Sequence, residues 1–158
     1  YMPRETVKQW TEAFAGRQST PQFSRVKAQR VAADRKRLLK VMDQQGVKIL
    51  FGTDSPQQFS VPGFSMHREL KSMQEAGMKP YEILRSGTVR VGEYLKAKDA
   101  FGTIAVGQRG DAVLVEGNPL EDVGNLSKIS GVLVRGQWMA GTEIGARLVK
   151  IAERNAKQ

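Results

Sequence analysis

Residues 47–51, Val-Lys-Ile-Leu-Phe, carry the densest apolar run of the amino-terminal third, between Gly46 and Gly52-Thr53-Asp54-Ser55. β-Branched and large apolar residues over five positions predict a strand buried on both faces. Upstream, Val31, Leu38, Leu39 and Met42 recur at helical spacing, with Ala28 and Ala32 extending the stripe. Ser24 is placed to cap that helix, and Gly46 to end it with a left-handed residue. Helix, glycine, apolar strand and acidic loop make half of a βα repeat. Before it, residues 1–23 are polar, with a short helical piece over Glu5–Phe14 and breakers from Gly16 to Pro21.

Beyond Pro56, Pro62 and Gly63 the period stays helical. Ser65 is placed to cap a helix carrying Met66, Leu70 and Met73 on one face, stopped by Gly77. Pro80 suits the first turn of another helix through Arg85. Thr88 is placed to cap a third, with Val89 and Tyr94 among its apolar residues, ending near Ala100. The pattern then changes. Eight glycines between Phe101 and Gly141 separate short β-rich runs: Thr103–Val106, Ala112–Val115, Gly131–Val134 and Gln137–Ala140. That rhythm predicts small antiparallel strands with tight turns. Glu143–Lys157 closes the chain as an amphipathic helix with Ile144, Leu148 and Ile151.

Composition narrows the picture. A chain of 158 residues, 40% apolar and 26% charged, is ordinary for a globular protein and has no run long enough to span a bilayer. It starts Tyr1-Met2-Pro3-Arg4, which reads as the middle of a longer polypeptide, leaving compartment open between cytoplasm and periplasm. The net charge of +9 is concentrated: residues 1–50 hold 11 Lys/Arg against 4 Asp/Glu, while the rest is nearly balanced. The basic stretch Arg25–Lys40 fits a nucleic-acid-binding helix, or a solvated helix face. No aromatic stacking set accompanies it, which favours the solvated face.

Asp54 is the first candidate for chemistry. A carboxylate at the carboxyl end of a strand is where α/β barrels hold catalytic groups, although an aspartate there also serves as a plain turn cap. His67 is the one histidine, and there is no cysteine, so a metal centre served by Asp54 needs ligands outside these residues. His67 is open to a substrate-contacting role or to a local role in a first helical turn. Ser55, Gln57 and Gln58 lie on the same loop as Asp54. Asp111 reads as a turn or strand-start residue, and Gly102–Gly107 lacks the Lys-Ser/Thr ending of a phosphate loop.

The ordered pieces GVKILFGTDS (46–55), MHREL (66–70), EAGMKP (75–80), Thr88, GTIAVG (102–107), GDAVLV (110–115), NPL (118–120) and VLVRG (132–136) are matched by a known family. The chain resembles, over roughly residues 25–141, the carboxyl-terminal part of the amidohydrolase superfamily, in its imidazolonepropionase-like and prolidase-like branch. Gly110, where the family has alanine, and Lys79, where it has threonine or serine, depart from the pattern.

The resemblance implies an α/β fold: residues 1–98 as the end of a (β/α)8 barrel with Val47–Phe51 as strand eight and its flanking helices. It implies 99–141 as part of a small β-sandwich, and 142–158 as a C-terminal helix. A whole barrel takes about 250 residues. It implies hydrolysis of a C–N bond in a small-molecule amide, cyclic amide or peptide. One or two divalent metals, zinc first, would activate the water, with Asp54 as metal ligand and general base. His67 and Ser55 would stand near substrate or support the site. Expected partners are the amino-terminal portion of the same protein and further copies of the chain, with neither nucleic acid nor membrane. The rivals are a basic nucleic-acid-binding module and an inactive remnant needing a partner chain.

Overall fold

A computed structural model describes residues 1–95 and 100–156. The expected domain boundary at 98/99 and the helix end at Lys157 lie outside the described residues. Helices α1 (Arg4–Gln18) and α2 (Arg25–Gln44) come first, then α3 (Ser65–Glu75), α4 (Pro80–Gly87) and α5 (Val89–Leu95). Strand β1 (Ala112–Val115), a 3₁₀ turn (Val123–Ser127), strands β2 (Ile129–Val134) and β3 (Gln137–Ala140), and helix α6 (Gly141–Ala156) follow.

The helical punctuation follows the sequence in part. The Ser24 hydroxyl accepts from Lys27 N at 3.3 Å and caps α2. Gly46 (φ 71°) and Gly77 (φ 96°) take the left-handed conformation that ends α2 and α3. Pro80 opens α4 behind Lys79, which makes no side-chain cap bond. Ser65 differs from expectation. Phe64 holds the cap position, and Ser65 Oγ reaches back to accept from Val61 N at 2.8 Å. The Thr88 hydroxyl likewise bonds backward, donating to Leu84 O at 2.8 Å.

The three strands form one antiparallel sheet, β1-β2-β3. Arg135 and Gly136, with φ of 49° and 80°, make the two-residue turn between β2 and β3. Two left-handed residues match the twist of the strands they join. Gly110 lies against that turn: Gly136 N donates to Gly110 O at 2.8 Å, and a Cβ on Gly110 would come within 3.2 Å of Gly136 N. An alanine at position 110 would need this turn to shift by a few tenths of an ångström. Helix α6 packs on β2 and β3.

A small core lies between α3, α4 and the 3₁₀ turn. Leu70, Met73, Met78, Ile83 and Val123 are buried, and Leu39, Ile49, Phe51 and Leu126 pack around them. Val123 N also donates to Gln74 Oε1 at 3.3 Å, fixing the 3₁₀ turn to α3.

Three expectations need correction. Val47–Phe51 is not in a strand: among the described residues it joins no ladder, and Phe51 N bonds to Ser86 O at 3.0 Å. Strand geometry is sustained by a neighbour's N–H and C=O groups, and none lies alongside. Val47 and Leu50 stay exposed, so burial on both faces is not realised. Thr103–Val106 is also not a strand, for the same lack of a partner, and Ile104 and Val106 point into solvent. The apolar stripe of α2 is buried only in part: Leu39 meets the core, whereas Val31 and Leu38 are exposed.

Candidate active site

Asp54 stands at the start of a loop whose geometry is set by hydrogen bonds within it. Its backbone is left-handed, with φ 52°. Aspartate tolerates this region better than most residues, yet non-glycine residues there carry strain on the order of 1–3 kcal/mol. The carboxylate is exposed, and its Oδ2 accepts a hydrogen bond from Gln57 Nε2.

Hydroxyl groups hold the loop from the other side. Thr53 Oγ1 donates to Ser55 Oγ at 3.0 Å, the Ser55 and Ser60 hydroxyls lie 2.6 Å apart, and Ser60 Oγ donates to Thr53 O at 3.3 Å. Ser60 N donates to Gln57 O at 2.8 Å and Gln57 N to Ser60 O at 3.3 Å, closing a tight turn over residues 57–60. Ser55 is thus committed to the loop's own bonding.

Helix α1 is built onto that turn. Phe59 sits at φ 59°, a position where turns usually place glycine. Its ring meets Trp10 and Phe14 edge-on, at centroid distances of 5.9 and 5.8 Å. Gln58 Nε2 donates to Trp10 O at 2.8 Å, and Arg17 Nη2 donates to Gln58 Oε1 at 3.4 Å. From α3, Arg68 Nη2 donates to Phe59 O at 3.0 Å. The sequence signal for this contact was present: Trp10 and Phe14 are four apart on one face of a helix. Nothing in the sequence paired them with Phe59.

His67 is half-buried in the first turn of α3, where its N–H donates to Phe64 O at 3.3 Å. No side-chain hydrogen bond or ion pair joins it to Asp54 among the described residues. The structure brings Asp54 and Ser55 into one loop; His67 follows it in the chain, one residue before the Arg68 that holds Phe59.

Among the described residues no three His, Cys, Asp or Glu side chains converge on a point that could hold a metal ion. Asp54 supplies one carboxylate where a catalytic zinc takes three protein ligands. The residues present therefore do not hold the metal by themselves.

Two other features belong to the scaffold. A groove of about 570 Å³ runs between the helices and the sheet, lined by Phe51, Leu70, Ile83, Leu126 and Val132 rather than by Asp54. Asp111 is structural: its Oδ1 accepts from Arg135 N at 2.8 Å and Oδ2 from Arg109 Nε at 2.6 Å. The backbone N–H of Arg135 and then Arg109 hold this carboxyl below the ordinary aspartate range, against an opposing effect of burial.

Most of the basic helix α2 is exposed, and none of its residues is fully buried. Asp34 pairs with Arg30 at 3.9 Å and Arg37 at 3.8 Å, and Lys36 pairs with Glu75 at 2.6 Å. The Lys36 ammonium, by hydrogen bond and charge, lowers the Glu75 carboxyl below its usual range. These pairs favour a solvated face that also ties α2 to α3.

Comparison with known proteins gives the class. The Amidohydrolase family model matches residues 20–139, a stretch that includes Asp54, β1, β2 and all but the last residue of β3. The chain belongs to the Amidohydrolase family. No particular curated protein matches it. Solved structures do. A Xaa-Pro dipeptidase with methionine bound in its active site aligns with TM-score 0.65 and 27% identity, over 86% of this chain and 34% of that one. A crystal structure of an amidohydrolase aligns with TM-score 0.56 and 28% identity, over 66% and 25%. Phenylurea hydrolase B gives 0.51 and 26%, over 64% and 26%. The chain thus spans a quarter to a third of the length of these proteins.

Proposed function

We propose that the protein carrying this chain hydrolyses a C–N bond, in an amide, a cyclic amide or a peptide, with Asp54 as its general base. The observation that carries the reading is the placement of Asp54. It lies within the family-matched segment, on a left-handed turn, with one carboxylate oxygen held by Gln57. A dipeptide and a phenylurea both present a carbonyl carbon bonded to nitrogen, the bond class proposed here.

Asp54 takes a proton from water as the water oxygen bonds to the carbonyl carbon. The C–N bond then breaks, and the proton passes to the leaving nitrogen, giving acid and amine. A divalent metal, zinc first and one or two ions in number, belongs to the same proposal, with Asp54 as one ligand and the others outside the described residues. When bound, such an ion lowers the pKa of water toward neutrality.

The same reading makes residues 1–98 the end of the barrel, 99–141 part of a sandwich and 142–158 a terminal helix. It gives Ser55 the task of shaping the Asp54 loop and His67 a place near substrate. Its partners are the amino-terminal portion of the protein and further copies of the chain. The isolated 158 residues are expected to be inactive. The test is release of amine by the full-length protein from Leu-Pro, N-acetylleucine and phenylurea, with and without Asp54→Asn. Turnover by the 158-residue chain alone would refute the need for further ligands.

A further inference from the structure

The turn after Asp54 places two neighbouring glutamines in different tasks. Gln57 donates to the Asp54 carboxylate, while Gln58 donates to the backbone of α1 at Trp10. The two are adjacent in a turn closed by backbone bonds between Gln57 and Ser60 in both directions. Phe59, third in that turn, keeps a left-handed backbone unfavourable for an aromatic residue and projects onto Trp10 and Phe14. Strained residues persist where the surroundings over-determine them, and here both Asp54 and Phe59 are strained.

We propose that Gln57 is a positioning residue for Asp54, and that α1 holds Gln57 in place through Gln58 and Phe59. The proposal rests on the reading of Asp54 as the general base. Gln57 donates to Oδ2 and fixes the carboxylate plane, so the oxygen that receives the proton from water is held in one orientation. A carboxylate without that donor rotates about its Cβ–Cγ bond, and the proton-accepting oxygen is less often in line with the water. Removing the hydrogen-bonding partner of a metal-ligating carboxylate typically costs 10- to 100-fold in metal affinity or activity. Substrate binding, which does not depend on which carboxylate oxygen faces the water, is expected to change little.

The experiment uses the full-length protein with Leu-Pro, N-acetylleucine and phenylurea as probes. Gln57→Ala and the isosteric Gln57→Glu, which lacks the amide donor, should each lower kcat 10- to 100-fold while KM stays within about twofold. Phe59→Ala should lower kcat in the same sense, Phe59→Leu should restore part of it, and Gln57→Ala combined with Phe59→Ala should cost less than the product of the two. Thermal melting of each variant separates loss of fold from loss of position. The side-chain amide resonance of Gln57 should move on Asp54→Asn and on Phe59→Ala. Activity surviving Asp54→Asn, or no turnover of any probe by the wild type, would overturn the base assignment instead. An inactive Asp54→Asn with wild-type kcat in both Gln57 variants would overturn the positioning role. A Gln57 amide resonance indifferent to both changes would overturn the contact with Asp54 and its link to α1.

Discussion

Asp54 and Asp111 are both aspartates beside turns, and the hydrogen bonds around them separate their roles. Asp111 gives both oxygens to the scaffold, one to Arg135 N and one to Arg109 Nε. Its carboxyl is held below the ordinary range, so its contribution to stability is present above about pH 4 and is lost as pH falls through the folded value. Acid unfolding of the chain should therefore show a loss below pH 4 that Asp111→Asn removes; identical acid profiles would contradict the assignment. Asp54 keeps one oxygen without a protein donor among the described residues. Its candidacy was legible because an acid follows the apolar run and the family pattern includes it. The role of Gln57 was not legible, because its reach to Asp54 depends on a left-handed backbone and a turn that residue types alone do not specify.

Helices announced themselves by caps, glycine stops and a 3.6-residue period, and α2 and α4 lie where those signals put them; the β2–β3 turn lies between the two β-rich runs that Gly136 separates. Strands fared unevenly. Ala112–Val115 and Gln137–Ala140 found antiparallel partners, whereas Val47–Phe51 and Thr103–Val106 have the right residues and no neighbour among the described ones. An apolar period reports what a segment can bury, and pairing decides whether it becomes a strand. The same logic sets the stability of the helices. Ile83 is fully buried in the core, and Ile83→Ala should cost about 2–5 kcal/mol. Leu38, on the open face of α2 at 59% exposure, should cost within about 0.5 kcal/mol as Leu38→Ala. Urea unfolding of the two variants measures both, and equal losses would contradict this placement of the core.

Taken whole, the molecule leaves much apolar surface in water. Val113 and Leu114 on β1, Trp138 on β3, and Ile104 and Val106 in the loop before them are all more than half exposed. Open strand edges and apolar patches of this kind favour association. The 158-residue chain should sediment as more than a monomer at micromolar concentration, and a single monomeric species would count against self-association. The positive charge gives no equivalent argument for nucleic acid, since α2 already spends part of it on Asp34 and Glu75. Family membership and the loop geometry support the proposal that Asp54 is the base of a C–N hydrolase. Amine release from Leu-Pro, N-acetylleucine and phenylurea by the full-length protein and its Asp54→Asn variant tests it most directly. The account predicts turnover of at least one probe by the wild type and a loss of at least about 100-fold in the variant, in line with the 10²- to 10⁴-fold supplied by a general base. Undiminished turnover by Asp54→Asn would contradict it.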